Sequence, residues 1–352
     1  MKNTYPVLLC CVTALVASIA PMKAAGQDTA SGERAVPALF ASHELIEITI
    51  ETDYGALRRD REQESEYRPA ILRMTDDEGM PRTIDIRVRT RGRYRLENCR
   101  FPPLRVNFPR NSMGGTVFDG QNGIRLVSHC RDRDDDEQNL IEEYLVYRTY
   151  NLLTDESFRV RLARVTYADG EDDDDPVVRY AFFREESEAM AERLGAVFLE
   201  IQQAAPSNFS AEQAVRMSVF QYMVGNTDWS MVFFHNAEVL KTSSGIYVPV
   251  PFDFDWTGFV SARYARPEES LGIRNVRQRV YRGFCRPNFD FSTVYAQFLE
   301  IRADLEALYT GQEGLDEDNR RDAVEYVDDF YEDIETPDRA EDRLEDDCRS
   351  MR

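Results

Sequence analysis

Short segments of alternating apolar and polar residues recur through the first half of the chain, and they limit the folds it can adopt. Leu45–Ile50 alternates as a strand with one buried face does. Tyr67–Met74 and Ile84–Thr90 repeat the pattern on either side of a polar turn, which predicts a β-hairpin. Ser157–Ala168 and Val177–Phe183 predict a second hairpin. The first half is therefore expected to be rich in hairpin strands.

Helical periodicity dominates the second half. Glu137–Leu153 is the first long helix predicted, Ala211–Val224 is another, and acidic amphipathic helices close the chain beyond Thr293. These patterns indicate an α+β fold with two lobes. Residues 45–195 are expected to form a β-rich N-terminal lobe with a helix, and residues 196–352 a mostly helical C-terminal lobe.

The N-terminus has the features of an export signal. Lys2 precedes an apolar stretch from Pro6 to Ala20, so residues 1–25 are predicted to be a signal peptide and residues 26–44 a flexible leader. The apolar stretch is short for a bilayer, which predicts a product in the periplasm, the cell envelope or the medium, without stable membrane insertion after processing. In an oxidising compartment the remaining four cysteines predict disulfides with three possible pairings: Cys99, Cys130, Cys285 and Cys348.

The net charge excludes some partners. The chain carries 43 Lys and Arg residues against 64 Asp and Glu residues, for a formal net charge of −21. Nucleic acid and anionic lipid repel such a protein, so neither is an expected partner. Lys241 is the only lysine that remains after the predicted signal peptide. Any binding of phosphate must therefore depend on arginine.

Two stretches carry the candidate site. In the first, Asp228 lies in a polar turn between apolar segments, and Asn236 follows at the end of the second segment. In the second stretch, an apolar and β-branched run ends in Asp253 and Asp255. An Asp that orients a hydroxyl, followed by an Asn and an Asp that bind Mg²⁺, is the minimum set for phosphoryl transfer from ATP. The competing interpretation is an ordinary Asx turn and a strand end in water.

A basic island interrupts the acidic chain between Arg87 and Arg105. Alternate arginines on a strand project from one face, which favours the binding of phosphate or carboxylate. The alternative is a solvated strand face whose arginines pair with the surrounding acids.

These residues together resemble a known family. The strings around Arg89–Gly92, Pro102–Phe108 and Asn139–Leu153, with GNTDW and PFDFDW, are similar to those of the spore-coat-protein-H-like (CotH) atypical kinases, above all to exported bacterial members. The resemblance covers roughly Leu45–Pro287. It implies a two-lobed atypical protein-kinase-like fold, ATP and Mg²⁺ or Mn²⁺ as cofactors, and a protein Ser or Thr as the acceptor.

The resemblance also implies roles for single residues near the reacting phosphate. Asp228 would be the catalytic Asp, and Asn236 and Asp253 would bind the metal. Asp255 would be a second metal ligand or a structural group.

On the nucleotide side, the resemblance assigns Glu143 or Glu185 as the Glu of the pocket. Such kinases usually hold the α- and β-phosphates with a Lys on an N-lobe strand. Here the matching position is Arg105, and Arg91 and Arg125 are the other candidates. Arginine binds phosphate through a wider planar fork, so the exchange is not conservative.

Two other functions fit the same residues. A pseudokinase, or another non-catalytic envelope protein, would bind a ligand without turnover. A sugar-nucleotide-dependent glycosyltransferase also carries an apolar run followed by Asp-x-Asp. In that case a parallel nucleotide-binding sheet should precede the motif, whereas the strands here are predicted to form hairpins.

Overall fold

The strands of the first half of the chain close into a barrel. The computed structural model describes residues 1, 36–63, 65–109, 112–170 and 175–351. The barrel strands are β1 (Ile46–Thr52), β2 (Arg68–Thr75), β3 (Pro81–Thr90), β4 (Leu104–Asn107), β5 (Gly123–Ser128), β6 (Val160–Asp169) and β7 (Val177–Arg184). Their order around the barrel is β1-β2-β3-β4-β5-β7-β6. Neighbouring strands are antiparallel except for β1 and β6, which run parallel and complete the closure.

Alternation along the strands fills the barrel interior with apolar side chains. Ile50, Leu72, Val88, Val106 and Leu126 belong to one buried cluster. A small barrel leaves room for little except its own side chains, so this cluster is a packed core. Successive residues of a strand point to opposite faces, so the residues between these positions face the outside of the barrel.

The two-lobed kinase-like fold predicted from the sequence is wrong. Both predicted hairpins, β2–β3 and β6–β7, are confirmed. The prediction did not foresee that the strands close into a barrel. Closure occurs because β6 pairs with β1, from Ile46 opposite Ala163 to Thr52 opposite Asp169. Instead of a lobe of hairpins the seven strands form a closed barrel of mixed direction. Alternation shows which face of a strand is buried, but it does not identify a partner strand far away in the sequence.

Nine α-helices and a small sheet are found in the described chain outside the barrel. The helices are α1 (Tyr54–Arg59), α2 (Tyr94–Asn98), α3 (Asp134–Leu153), α4 (Ser187–Arg193), α5 (Ala211–Met223), α6 (Ser292–Glu300), α7 (Arg302–Thr310), α8 (Glu317–Ile334) and α9 (Pro337–Ala340). The small antiparallel sheet has the order β10-β9-β8 and consists of β8 (Val197–Phe198), β9 (Ala237–Lys241) and β10 (Tyr247–Pro251).

Helix α3 is a central element of the largest core. Between Leu140 and Tyr150 nearly every residue is buried, whichever side of the helix it occupies. A helix buried all round must pack against several elements, and α3 contacts β6, β7 and α7. Glu142 and Glu143 lie in this buried stretch, although a glutamate on a helix is by default expected to be exposed.

Two disulfides settle the pairing that the sequence left open. Cys99 is bonded to Cys130, and Cys285 is bonded to Cys348. The bonds are consistent with the predicted export to an oxidising compartment. Among the described residues, no helix combines the length and the apolar character that a membrane span requires. The predicted signal peptide after Met1, and the first ten residues of the predicted leader (26–35), lie outside the described residues.

Candidate functional site

The turn that carries Asp228 begins where α5 ends. Gly225 has φ +64°, and a Cβ atom there would lie 2.1 Å from the Tyr326 hydroxyl oxygen, so this position requires glycine. The Gly258 N–H donates to the Gly225 carbonyl at 3.0 Å and fixes the turn from the other side. Asn226 Oδ1 accepts from the Asp228 N–H at 2.9 Å, which makes this an Asx turn. The turn therefore holds Asp228 at a defined place.

Both carboxylate oxygens of Asp228 are engaged by the segment that follows. His235 Nε2 lies 2.7 Å from Asp228 Oδ1, and Asn236 Nδ2 donates to Asp228 Oδ2 at 3.0 Å. The hydrogen bond with Asp228 raises the pKa of His235 above its usual value. The side chains of Asp228 and His235 are 37% and 58% exposed, so both remain accessible to a ligand.

The β9–β10 hairpin brings Asn236 and Asp253 together. Asn236 precedes β9 and Asp253 follows β10, and the Phe252 N–H donates to the Asn236 carbonyl at 3.1 Å. Asn236 and Asp253 have φ values of +48° and +64°, which residues with a side chain seldom adopt. Such backbone strain persists where surrounding structure imposes it, and it is typical of ligand sites. Two of the predicted metal ligands are thus neighbours.

Asp253 and Asp255 occupy different environments. The Asp253 N–H donates to the Tyr147 hydroxyl at 2.9 Å, and its side chain is exposed. Protein atoms nevertheless crowd around the Asp253 carboxylate, and this desolvation, with the charge of Asp255, raises its pKa. The Asp253 residue thus has solvent on one side and protein on the other, and we call the space around its carboxylate the recess. Asp255 is buried and accepts hydrogen bonds from Arg95 Nε at 2.9 Å and from the Tyr264 hydroxyl at 2.8 Å.

A buried ion network beneath the recess includes two of the predicted site residues. Arg95 on α2 bonds both Asp255 and Glu143, and burial raises the pKa of the Glu143 carboxyl. Because Asp255 and Glu143 share this one guanidinium, the structure gives both a supporting role. These bonds favour the structural one of the two roles predicted for Asp255, and no hydrogen bond or ion pair joins Glu143 to the candidate arginines.

The acid that meets Arg105 is Glu186, and not Glu143 or Glu185. Glu185 is fully buried and accepts two hydrogen bonds from Arg193, at 3.0 Å each. Glu186 accepts from Arg105 Nη1 with both oxygens at 3.0 Å, and it lies 3.2 Å from Arg125 Nε. The Arg105 guanidinium also has a hydrogen bond with Tyr67, so only part of its donor edge is left for another anion.

Four arginines form a row across the outside of the barrel. The strand register places Arg89 opposite Arg105, Arg105 opposite Arg125, and Arg125 opposite Arg184. Like charges directly opposite each other on a sheet are destabilising, and Glu186 compensates part of this charge in the middle of the row. Arg184 lies over the ring of Phe252, the residue before Asp253, at 5.0 Å.

Arg91 follows this row at the end of β3 and faces Asp253. Burial and the charge of Arg125 lower the pKa of Arg91 to about 10, and the charge of Asp253 acts in the opposite direction. In the part of the chain that the structure describes, the Arg91 guanidinium has no hydrogen bond and no ion pair. Arg91 and Asp253 are thus close enough to interact electrostatically and yet leave a gap between them.

The donor atoms in this recess do not hold a metal by themselves. Within the described ranges, no group of three or more His, Cys, Asp or Glu side chains is arranged for a metal ion. The Asp253 carboxylate and the Asn236 Oδ1 atom remain, and both are hard oxygen donors. Mg²⁺ is commonly held by one or two carboxylates together with waters and substrate phosphates. The residues therefore fit a metal that arrives with a phosphate ligand.

Sequence reasoning missed three residues of this region. His235 adjoins Asn236, and that adjacency to a predicted ligand was the available signal. Glu186 adjoins the predicted Glu185, and that adjacency was again the available signal. Arg95 gave no signal, because its two partners are distant in the sequence.

Comparisons with known proteins add no family to this description. A scan against models of protein families finds no match, and no curated protein matches the chain. The resemblance to the CotH-like kinases therefore stays a prediction.

Proposed function

We propose that the protein binds a nucleoside triphosphate such as ATP with Mg²⁺ or Mn²⁺ and transfers its terminal phosphoryl group to a hydroxyl acceptor. One observation carries this proposal. The Asp253 carboxylate and the Arg91 guanidinium lie close enough for the charge of each to act on the pKa of the other, and neither has an ion-pair partner among the described residues. An acid facing a cation across a gap suits a metal–phosphate pair, since the acid binds the metal and the cation binds the phosphate.

The arginines would hold the phosphate groups. Arg91 has no ion pair among the described residues, Glu186 lies beside Arg125 Nε, and Arg105 is shared between Glu186 and Tyr67. The free nitrogens of these guanidinium groups can donate charge-assisted hydrogen bonds to phosphate oxygens. Glu186 would keep Arg105 and Arg125 side by side, so that their free edges face one ligand. Arginine would thereby bind the phosphates that a lysine binds in the kinases that the sequence resembles.

Asn236 and Asp253 would bind the metal ion, which would neutralise phosphate charge. Asp255 would act indirectly, since its bonds to Arg95 and Tyr264 fix the backbone beside Asp253. Positioning and charge neutralisation supply most of the catalysis in phosphoryl transfer.

Asp228 would orient the acceptor hydroxyl and take its proton. In the transfer, the acceptor oxygen forms a bond to the terminal phosphorus, and the bond from that phosphorus to the bridging oxygen breaks. The products are the phosphorylated acceptor and a nucleoside diphosphate, and the proton resides on Asp228 until solvent removes it. Hydrogen bonds from His235 and Asn236 already hold the Asp228 carboxylate in one orientation. We propose a protein Ser or Thr as the acceptor, in the periplasm, the cell envelope or the medium.

A non-catalytic binding protein is the second candidate. Both Asp228 oxygens are occupied by hydrogen bonds, and the described residues lack a complete protein metal site. A pseudokinase would show the same features, with ligand binding and no turnover. A glycosyltransferase receives less support, because the strands that precede β10 pair mostly antiparallel.

The experiment that tests the proposal is label transfer from γ-labelled ATP. The processed full-length chain is incubated with Mg²⁺ or Mn²⁺ and protein acceptors, beside Asp253→Asn and the surface control Asp338→Asn. We expect Asp253→Asn to reduce transfer about hundredfold or more, because charge stabilisation at the phosphate is lost. Asp338 is exposed on α9, so its substitution should leave transfer unchanged.

Transfer that survives in Asp253→Asn would refute this assignment of the site. Binding of ATP without any transfer by the unsubstituted chain would favour the pseudokinase.

A further inference from the structure

A second pair of arginines, Arg282 and Arg349, lies near the Asp228 turn. Arg282 Nη1 donates to the carbonyl of Thr227, the residue before Asp228. The Arg282 side chain is half-buried, and the neighbouring charges are those of Arg349, Glu268 and Asp228. Arg282 therefore contacts the backbone of the turn that carries Asp228.

The C-terminal segment is fastened so that Arg349 accompanies Arg282. The Arg349 N–H donates to the Gly283 carbonyl at 2.8 Å, and the Cys285 N–H donates to the Arg349 carbonyl at 2.9 Å. The disulfide between Cys285 and Cys348 crosslinks the same two segments. The Arg349 guanidinium lies 4.9 Å from the centre of the Phe284 ring. Backbone hydrogen bonds, a disulfide and a cation–π contact thus hold the segment of Arg349 against the segment that carries Arg282.

This arrangement is unexpected in a chain with 64 acidic residues and 43 basic ones. Over the described ranges, neither Arg282 nor Arg349 forms an ion pair with a carboxylate. Burial and the charge of Arg349 lower the pKa of Arg282, as repulsion between two adjacent cations should. The acids that act on Arg282, Glu268 and Asp228, are too distant for an ion pair, so the two guanidinium groups can still donate hydrogen bonds to an added anion.

We propose that Arg282 and Arg349 bind an anionic group of the acceptor, next to the hydroxyl that Asp228 orients. That the ligand is the phosphoryl acceptor rests on the proposed function, whereas the anion site itself rests on the two arginines alone. The ligand chemistry is a carboxylate or phosphate that flanks a hydroxyl, either in an acidic peptide around a Ser or in a small phosphorylated alcohol. The negative charge of the whole protein repels such an acceptor, so local arginines are needed to bind it.

The test is the binding of a fluorescent peptide with one Ser between glutamates, measured by anisotropy without nucleotide. A peptide with glutamines in place of glutamates is the uncharged probe, and glycerol phosphate is the competitor. Arg349→Gln is the main variant, because Arg349 is exposed and its loss leaves the Asp228 turn intact. Arg321→Gln is the control, because Arg321 is an exposed arginine on α8.

We expect Arg349→Gln to weaken binding of the glutamate peptide about tenfold, the usual effect of losing a charge-assisted hydrogen bond, and Arg321→Gln to leave it unchanged. Binding should also weaken as salt is added. Competition by glycerol phosphate would identify a small acceptor as the source of the anion. If glycerol phosphate does not compete, the source is a peptide.

Equal affinity of the unsubstituted chain and Arg349→Gln would overturn the proposal, and so would equal affinity for the two peptides. Since nucleotide is absent, failure of this site is distinguishable from failure of the proposed function. A protein that binds the glutamate peptide through Arg349 but transfers no phosphate would keep the site and lose the function.

Discussion

Replacement of Arg95 by Met tests the buried ion network beneath the recess. The Arg95 side chain is 11% exposed, and its partners Glu143 and Asp255 are 2% and 8% exposed. Removal of one partner from a buried pair leaves a charge without compensation and typically costs about 3–5 kcal/mol. Here one guanidinium serves two carboxylates, but Asp255 keeps the Tyr264 hydrogen bond. We therefore expect the free energy of unfolding to fall by about 4 kcal/mol at pH 8.

The pH dependence provides the sharper part of this test. Burial already raises the pKa of Glu143, and loss of Arg95 removes the charge that opposes this rise. A carboxyl with a raised folded-state pKa is most favourable when protonated, so the loss of stability should be smaller at pH 5 than at pH 8. Urea unfolding at both pH values measures it, with Arg321→Met as a surface control. A loss below about 1 kcal/mol at pH 8, the range of surface pairs, would refute this reasoning, as would a loss that is equal at both pH values.

Three further predictions concern the scaffold. Burial raises the pKa of Glu142, so the free energy of unfolding should decline as the pH rises above the pKa of this carboxyl in the unfolded chain. Glu142→Gln should remove that decline, as measured by urea unfolding between pH 5 and 8. Gly225→Ala should cost about 2–4 kcal/mol because of the Tyr326 clash, whereas Gly245→Ala, with open space around it, should cost about 1 kcal/mol in thermal unfolding. Replacement of Cys285 and Cys348 by Ala should cost about 4 kcal/mol, because their bond closes a loop with a sequence separation of 63.

The local structure of the chain was largely accessible to sequence reasoning. The predicted helix Ala211–Val224 is confirmed as α5, which ends one residue earlier, and the hairpins β2–β3 and β6–β7 are confirmed. These elements depend on contacts within or between neighbouring segments, which periodicity and turn residues report. The closure of β1 with β6 depends on a distant partner, and the two-lobed fold was wrong for that reason.

The candidate site divides in the same way. Asn236 and Asp253 were assigned to one metal site, and the β9–β10 hairpin brings their backbones together. Asp255 was predicted to be a metal ligand or a structural group and Glu143 a glutamate of the nucleotide pocket, and both are bonded to Arg95 from a different part of the chain. A pattern of acids does not reveal which of them a buried arginine neutralises. The same limit applies to the glutamate partner of Arg105, where the adjacent residue, Glu186, makes the contact.

The central claim is that Arg91 and Asp253 form two sides of one metal–nucleotide site. Calorimetric titration of the processed chain with ATP, with and without Mg²⁺, tests it most directly. We predict Mg²⁺-dependent binding that Arg91→Gln weakens about tenfold with the metal dependence retained, since one charge-assisted hydrogen bond is lost. Asp253→Asn should bind ATP with no difference between the two conditions. Binding that is unchanged in Arg91→Gln, or no binding of ATP by the unsubstituted chain, would contradict the account.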